Sequence, residues 1–174
     1  MKSKGNIVFL GMMGSGKTSI GKLVSKKLNL NFFDIDHIIE EKTKMKISKI
    51  FSNKGEEFFR HLEEKYTLNI LKKTDSVISL GGGGFLNNNI RKEVLANHLS
   101  FWLSYDDEIL INRIINSSKR PLAFNLNKEE LLNLTKKRSN IYSKALYKVN
   151  CNTLTKIDIV NKILKIYESN KTKN

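Results

Sequence analysis

The chain has one cysteine, one proline and only five arginines in 174 residues, and each shortage excludes something. A lone thiol, Cys151, rules out an internal disulfide, so packing and hydrogen bonds must hold the fold, and a reducing cytoplasm suits it. A single proline, Pro121, leaves no Pro-rich linker. No apolar run approaches the length of a membrane helix, and no secretory or transit-type segment is read ahead of the first strand-like run. His37, His61 and His98 lack metal-ligand spacing and are expected to be structural or exposed. The net charge of +14 invites a nucleic-acid reading, but lysine is spread along the whole chain with no aromatic-interleaved basic stripe. No nucleic-acid or membrane partner is expected. Where a bare positive charge serves, this chain uses lysine. Arg60, Arg91, Arg113, Arg120 and Arg138 are therefore candidates for work that needs a planar, two-pronged donor.

Apolar residues make up 40% of the chain, enough for one ordinary globular domain. The most informative motif is Gly11-Met12-Met13-Gly14-Ser15-Gly16-Lys17-Thr18, directly after the apolar run Ile7–Leu10 and before a helical pattern. It fits G-x-x-x-x-G-K-[ST], a loop whose backbone N–H groups cradle phosphates at a helix N-terminus. Gly14, Ser15, Gly16, Lys17, Thr18 and Ser19 are expected to hold a nucleoside triphosphate. Lys17 would reach the β- and γ-phosphates, and the Thr18 hydroxyl would hold Mg²⁺.

Strand-like runs at 6–10, 31–35, 75–80, 98–103 and 146–151 alternate with helical patterns near 16–28, 37–52 (broken), 56–73, 87–97, 106–116, 128–144 and 156–168. Asn127 with Glu130, and Thr155 with Asp158, read as helix starts. The alternation predicts an α/β fold, a parallel sheet with helices on both faces. Trp102 and Cys151 read as core. Residues 117–127 have no clear period and read as a mobile loop, and the polar tail 169–174 reads as frayed.

A parallel sheet gathers the carboxyl ends of its strands on one edge, where ligands bind. Three unusual segments should meet there: the phosphate loop, Asp34-Ile35-Asp36, and Gly81–Gly84. Beside a phosphate site, one carboxylate of the pair can hold Mg²⁺ or its water while the other takes a proton from an attacking hydroxyl. Asp36 can also be read as the N-cap of a helix starting at His37. The glycines let a small polar ligand approach the backbone, or make a tight turn. Glu56, Arg60 and Glu63 share one helix face, either as a surface ion-pair row or as an arginine braced for an anion. Arg120, in the loop, could close over the transferring phosphate.

These segments, together with Gly55-Glu56-x-x-Phe59-Arg60-x-x-Glu63, Leu80-Gly81-Gly82-Gly83, Arg120-Pro121-Leu122 and Arg138-x-x-x-Tyr142, follow the order and spacing of the shikimate kinase family. The chain resembles that family over roughly residues 5–165. The resemblance implies a P-loop kinase of the nucleoside monophosphate kinase type, three α/β/α layers around a five-stranded parallel sheet. It also implies ATP as co-substrate, Mg²⁺, shikimate as acceptor, and a cytoplasmic monomer. Carried over by position, Thr18 and Asp34 hold the metal. Asp36, Arg60, Arg138 and Gly81, Gly82 and Gly83 bind the acceptor, with helices at about 37–63 forming its site. Lys17, Asp36 and Arg120 act on the reaction. Arg113 lies against the adenine, and 117–127 forms the lid. Lys144, Leu146 and the extra Gly84 depart from the family pattern.

Other readings compete. A gluconate or nucleoside monophosphate kinase shares the loop but not Arg60, Arg138 and the glycines together. A GTP-binding switch would need an aspartate that Asn127-Lys128-Glu129-Glu130 lacks.

Overall fold

The computed structural model describes residues 5–116 and 126–171. In chain order the elements are β1 (Ile7–Leu10), α1 (Lys17–Leu28), β2 (Asn31–Asp34), α2 (Ile35–Thr43), α3 (Ile47–Leu71), β3 (Ser76–Ser79), α4 (Asn88–Asn97), β4 (Leu99–Ser104), α5 (Asp107–Ile115), α6 (Lys128–Tyr142), β5 (Tyr147–Asn150) and α7 (Lys156–Lys171). A short 3₁₀ turn, Gly84–Leu86, precedes α4. All five strands pair in parallel, in the order β2-β3-β1-β4-β5.

The three inner strands are buried along their whole length, as expected where helices cover both faces. Side chains alternate across β1. Val8 and Leu10 face one core, with Ile39, Phe59, Ile90 and Tyr142 from α2, α3, α4 and α6. Ile7 and Phe9 face the other, with Val24 of α1 and Ile163 of α7. Trp102 and Cys151 are buried, as the sequence indicated.

Several boundaries differ from expectation. Strand β2 ends at Asp34 and α2 begins at Ile35, so no loop separates them. Asp34, not Asp36, is the N-cap: its Oδ1 accepts from the His37 N–H at 3.3 Å. The break expected in the second helical pattern falls at 44–46, where Lys44 takes a left-handed conformation (φ 55°). Glu40 then caps the next helix, accepting from the Ile47 N–H at 3.1 Å and from Lys46 Nζ at 2.8 Å. The boundary expected near 52–56 is a kink inside α3 at Gly55 (φ 83°, ψ 170°), a conformation other residues resist. Helix α7 continues to Lys171, beyond the start of the expected frayed tail, because the chain remains packed there: the Tyr147 hydroxyl donates to Asn170 Oδ1 at 3.0 Å. Both expected capping signatures form, at Asn127–Glu130 and Thr155–Asp158.

Asn6, ahead of β1, is a buried bracket at the opposite end of the sheet from the phosphate loop, Asp34–Asp36 and the glycine run. Its Nδ2 donates to Leu71 O (3.1 Å) and Lys73 O (2.7 Å), its Oδ1 accepts from Ser76 N (3.2 Å), and its N–H donates to His98 Nδ1 (3.1 Å). It ties the end of α3 to the starts of β3 and β4. Asn6→Ala strands two carbonyls and an N–H in the interior, so we expect a loss of about 2–4 kcal/mol. Urea denaturation should show a lower midpoint with an unchanged slope.

Candidate functional site

The phosphate loop runs from the end of β1 to α1. Gly11, Gly14 and Gly16 all have positive φ, and Gly16 caps α1 with no side-chain hydrogen bond. The first N–H groups of α1 are thus aimed at the loop's concave side, a fit for phosphate oxygens. The Ser15 hydroxyl is buried there without a partner. Lys17 is 8% exposed, and its ammonium donates to the loop's own carbonyls, Gly11 O at 2.9 Å and Met12 O at 3.0 Å. This holds its charge within the loop.

Thr18 Oγ1 donates to Asp34 Oδ2 at 2.6 Å. A hydroxyl and a carboxylate are hard oxygen donors of the kind Mg²⁺ takes, with waters and phosphate filling the remaining positions. Among the described residues no cluster of three His, Cys, Asp or Glu forms an all-protein metal cage.

Asp36 lies in the first turn of α2. Its carboxyl pKa is pushed up to about 7, first by burial and then by the charges of Asp34 and Glu63, with Lys17 and Arg60 pulling the other way. Arg60 and Glu63 come from α3. Arg60 Nη1 donates to Glu63 Oε2 at 2.7 Å, and its Nε and Nη2 donate to Glu56 Oε1 at 3.1 and 2.9 Å. Glu63 is 2% exposed, so the three residues are not a surface row; they brace the guanidinium from both sides. Burial works against the Arg60 charge, but the two carboxylates more than offset it and hold the group protonated. Burial lifts the Glu63 pKa although Arg60 lowers it, and its Oε1 has no partner.

The glycine run closes over this cluster. A Cβ on Gly81 would stand 2.7 Å from Asp36 Oδ1 and collide with Glu63 Oε1, and one on Gly83 would collide with the Arg60 guanidinium. A side chain at either position would displace these charged groups from where they now stand. Gly84 meets no such obstacle, so the extra glycine changes little. The fifth arginine, Arg91, uses its Nη1 to bind Phe85 O (3.0 Å) and Leu86 O (2.8 Å), anchoring the turn that follows.

Arg138 enters from α6. It is 7% exposed, its Nη1 donates to Met12 Sδ at 3.7 Å, and its Nε has no partner. One turn on, the Tyr142 hydroxyl donates to Gly82 O, fixing α6 to the glycine run. Burial pushes the Tyr142 pKa up to about 12, so it stays a donor. Lys144 and Leu146, beyond the helix, are exposed and do not line the cavity.

Thr18, Asp34, Asp36, Arg60, Glu63, Gly82, Gly83 and Arg138 line one cavity of about 1430 Å³. Its walls include Met13, Phe51 and Phe59, which the sequence reading did not single out for the site. Lys17 and Gly81 are packed behind these residues. Gly14, Gly16, Ser19 and Arg113 instead line a second cleft of about 360 Å³ beside the loop, with Tyr105, Leu154 and Lys156. Arg120 and the bulk of the 117–127 loop lie outside the described residues.

Known proteins resemble this chain in sequence and fold. A family model described as shikimate kinase matches residues 13–168. A shikimate kinase from Thermodesulfovibrio yellowstonii is 40% identical over 94% of this chain and 95% of its own length. One from Sulfurihydrogenibium is 39% identical over 91% and 95%. Among solved structures, the shikimate kinase from Acinetobacter baumannii in complex with shikimate superposes with a TM-score of 0.90 at 31% identity, covering 98% of this chain and 96% of that one. A gluconokinase from Sinorhizobium meliloti superposes with a TM-score of only 0.58 at 13% identity, a likeness of fold alone. Sequence and structural likeness thus converge over nearly the full length, and the chain belongs to the shikimate kinase family.

Proposed function

We propose that this chain transfers the γ-phosphoryl group of ATP to the 3-hydroxyl of shikimate, giving shikimate 3-phosphate and ADP. The observation that carries the reading is that Arg60, Arg138 and Asp36 line one cavity together with Thr18 of the phosphate loop. A ring acid with several hydroxyls fits that set. Two guanidinium forks grip its carboxylate, Asp36 accepts from its hydroxyls, and the glycine run admits the ring against the backbone. Phe51 and Phe59, which pack with ring centroids 4.8 Å apart, offer an apolar wall to the ring carbons. The segment 37–63 and the glycine run are thus the acceptor half of a single domain.

The phosphate loop binds the triphosphate through its N–H groups, and Lys17 turns from its loop carbonyls to the β- and γ-phosphates. Thr18 and Asp34 would hold Mg²⁺, which draws charge from the β- and γ-oxygens. As the acceptor oxygen attacks the γ-phosphorus, its proton passes to Asp36, and the bond from the γ-phosphorus to the β–γ bridging oxygen breaks with its electron pair leaving on ADP. Catalysis is positioning and electrostatics without a covalent enzyme intermediate. Arg120 carries the proposal of a second phosphate cation on sequence grounds alone.

Three outcomes test the reading. Lys17→Met removes the loop charge and keeps the stem; turnover in a coupled ADP-release assay should fall by on the order of 10²-fold or more with the fold intact. Arg60→Lys keeps charge but loses the fork. In calorimetric titration it should weaken shikimate binding by about 1.5–3 kcal/mol and leave MgATP binding nearly unchanged. The third is a pH profile. Asp36 must be ionised to accept a proton, and its pKa is raised to about 7, so kcat/KM for shikimate should rise with pH through about 7 and level off above it. Asp36→Asn should suppress turnover and abolish that limb while still binding MgATP.

A further inference from the structure

We propose that Tyr105 is the positioning residue for the nucleotide's base, acting through Arg113; this rests on the nucleotide reading above. The second cleft lies beside Gly14 and Gly16 and is built from two turns, the one between β4 and α5 and the one between β5 and α7. A triphosphate seated in the loop has its base end in this cleft. Beyond the loop, the cleft is lined by Tyr105, Arg113, Leu154, Lys156 and Ile159.

Arg113 is exposed, and among the described residues no carboxylate forms an ion pair with it. A long, solvated side chain of this kind samples many rotamers and would have to be ordered when a base stacks on it. Tyr105 does that ordering. The guanidinium carbon of Arg113 lies 4.2 Å from the centroid of the Tyr105 ring, over its face. One face of the planar cation is thus taken by the phenol, and the opposite face is left for a purine.

The ring is itself held. Tyr105 is half-buried and packs against both hydrophobic cores. Its backbone is clamped on both sides: the Cys151 N–H donates to Ser104 O at 2.9 Å, and the Asp106 N–H donates to Asn152 Oδ1 at 2.8 Å. Burial raises the phenol's pKa although the neighbouring Arg113 lowers it, so the ring stays neutral and keeps its face for the cation. The resulting order is ring, guanidinium, base.

The experiment compares two ligands, MgATP and the magnesium complex of ribose 5-triphosphate, which has no base. Each is titrated into wild type, Tyr105→Leu, Tyr105→Phe, Arg113→Ala and the Tyr105→Leu/Arg113→Ala double variant. ATP kinetics are run at saturating shikimate. Tyr105→Leu should weaken MgATP binding and raise its KM by about three- to fivefold, the scale of a solvent-exposed cation–ring contact, with kcat unchanged. It should leave the base-free triphosphate unaffected. Tyr105→Phe, which keeps the ring but loses the hydroxyl's hydrogen bond with Arg113, should weaken MgATP binding less than Tyr105→Leu, and the double variant should be no weaker than Arg113→Ala alone. The proposal is overturned if Tyr105→Leu binds MgATP like wild type, if it weakens both ligands equally, or if Tyr105→Phe is as impaired as Tyr105→Leu. Wild type that binds neither ligand would instead overturn the nucleotide reading itself.

Discussion

The site depends on a buried set of charges that the protein alone does not fully satisfy. Arg60 and Glu63 are paired at 2.7 Å under the glycine run, Asp36 stands beside them, and Arg138 is buried with its Nη1 donating to the Met12 thioether. Moving such groups out of water is costly unless each finds a partner. Here some remain without one: Glu63 Oε1 and Arg138 Nε are buried and unpartnered. Two guanidinium groups line one cavity, and among the described residues only Arg60 forms an ion pair with a carboxylate; such a pair of cations favours an incoming anion. The same crowding of carboxylates raises the Asp36 pKa toward neutrality, the range in which a base can take a proton from an attacking hydroxyl. In the proposed function, anion binding and the raised Asp36 pKa both come from this one arrangement.

The sheet makes that arrangement attainable. Parallel strands β1, β2 and β3 end on the same edge, so the phosphate loop, the Asp34–Asp36 segment and the glycine run meet without any long connection. The Thr18–Asp34 hydrogen bond joins the first two. Tyr142 on Gly82 joins the third to α6, and Arg138 on Met12 brings α6 back to the loop. The phosphate loop and α6 therefore meet at Met12: Lys17 donates to its carbonyl and Arg138 to its thioether.

Much of this was legible in the sequence because the residue types admit few alternatives. The strand, loop and helix of the phosphate site follow from glycine spacing; the scarcity of arginine made all five candidates, and the resemblance to the family gave roles to Arg60, Arg113, Arg120 and Arg138. What was not legible has a common cause. The i, i+3 and i+4 spacing of Glu56, Arg60 and Glu63 is the same whether the helix face meets water or the core, so only packing shows Glu63 to be 2% exposed. Asp34-Ile35 carries no Gly or Pro, so nothing signalled that the strand turns directly into a helix. Gly55 looked like a boundary and proved a kink, because a left-handed residue can either end a helix or redirect it. Tyr105 gave no signal, because its role depends on a cation eight residues later and on the turn after β5.

The central claim is that the acceptor is held by its carboxylate between Arg60 and Arg138 while the phosphate loop independently holds ATP. The most direct measurement is a calorimetric titration of the wild-type protein with shikimate and with its methyl ester, which keeps the ring and hydroxyls and removes the negative charge. The account predicts that the ester binds at least about 100-fold more weakly, the scale of losing charged hydrogen bonds to two guanidinium groups, while MgATP affinity measured alongside is the same in both series. An ester that binds as tightly as shikimate would contradict it.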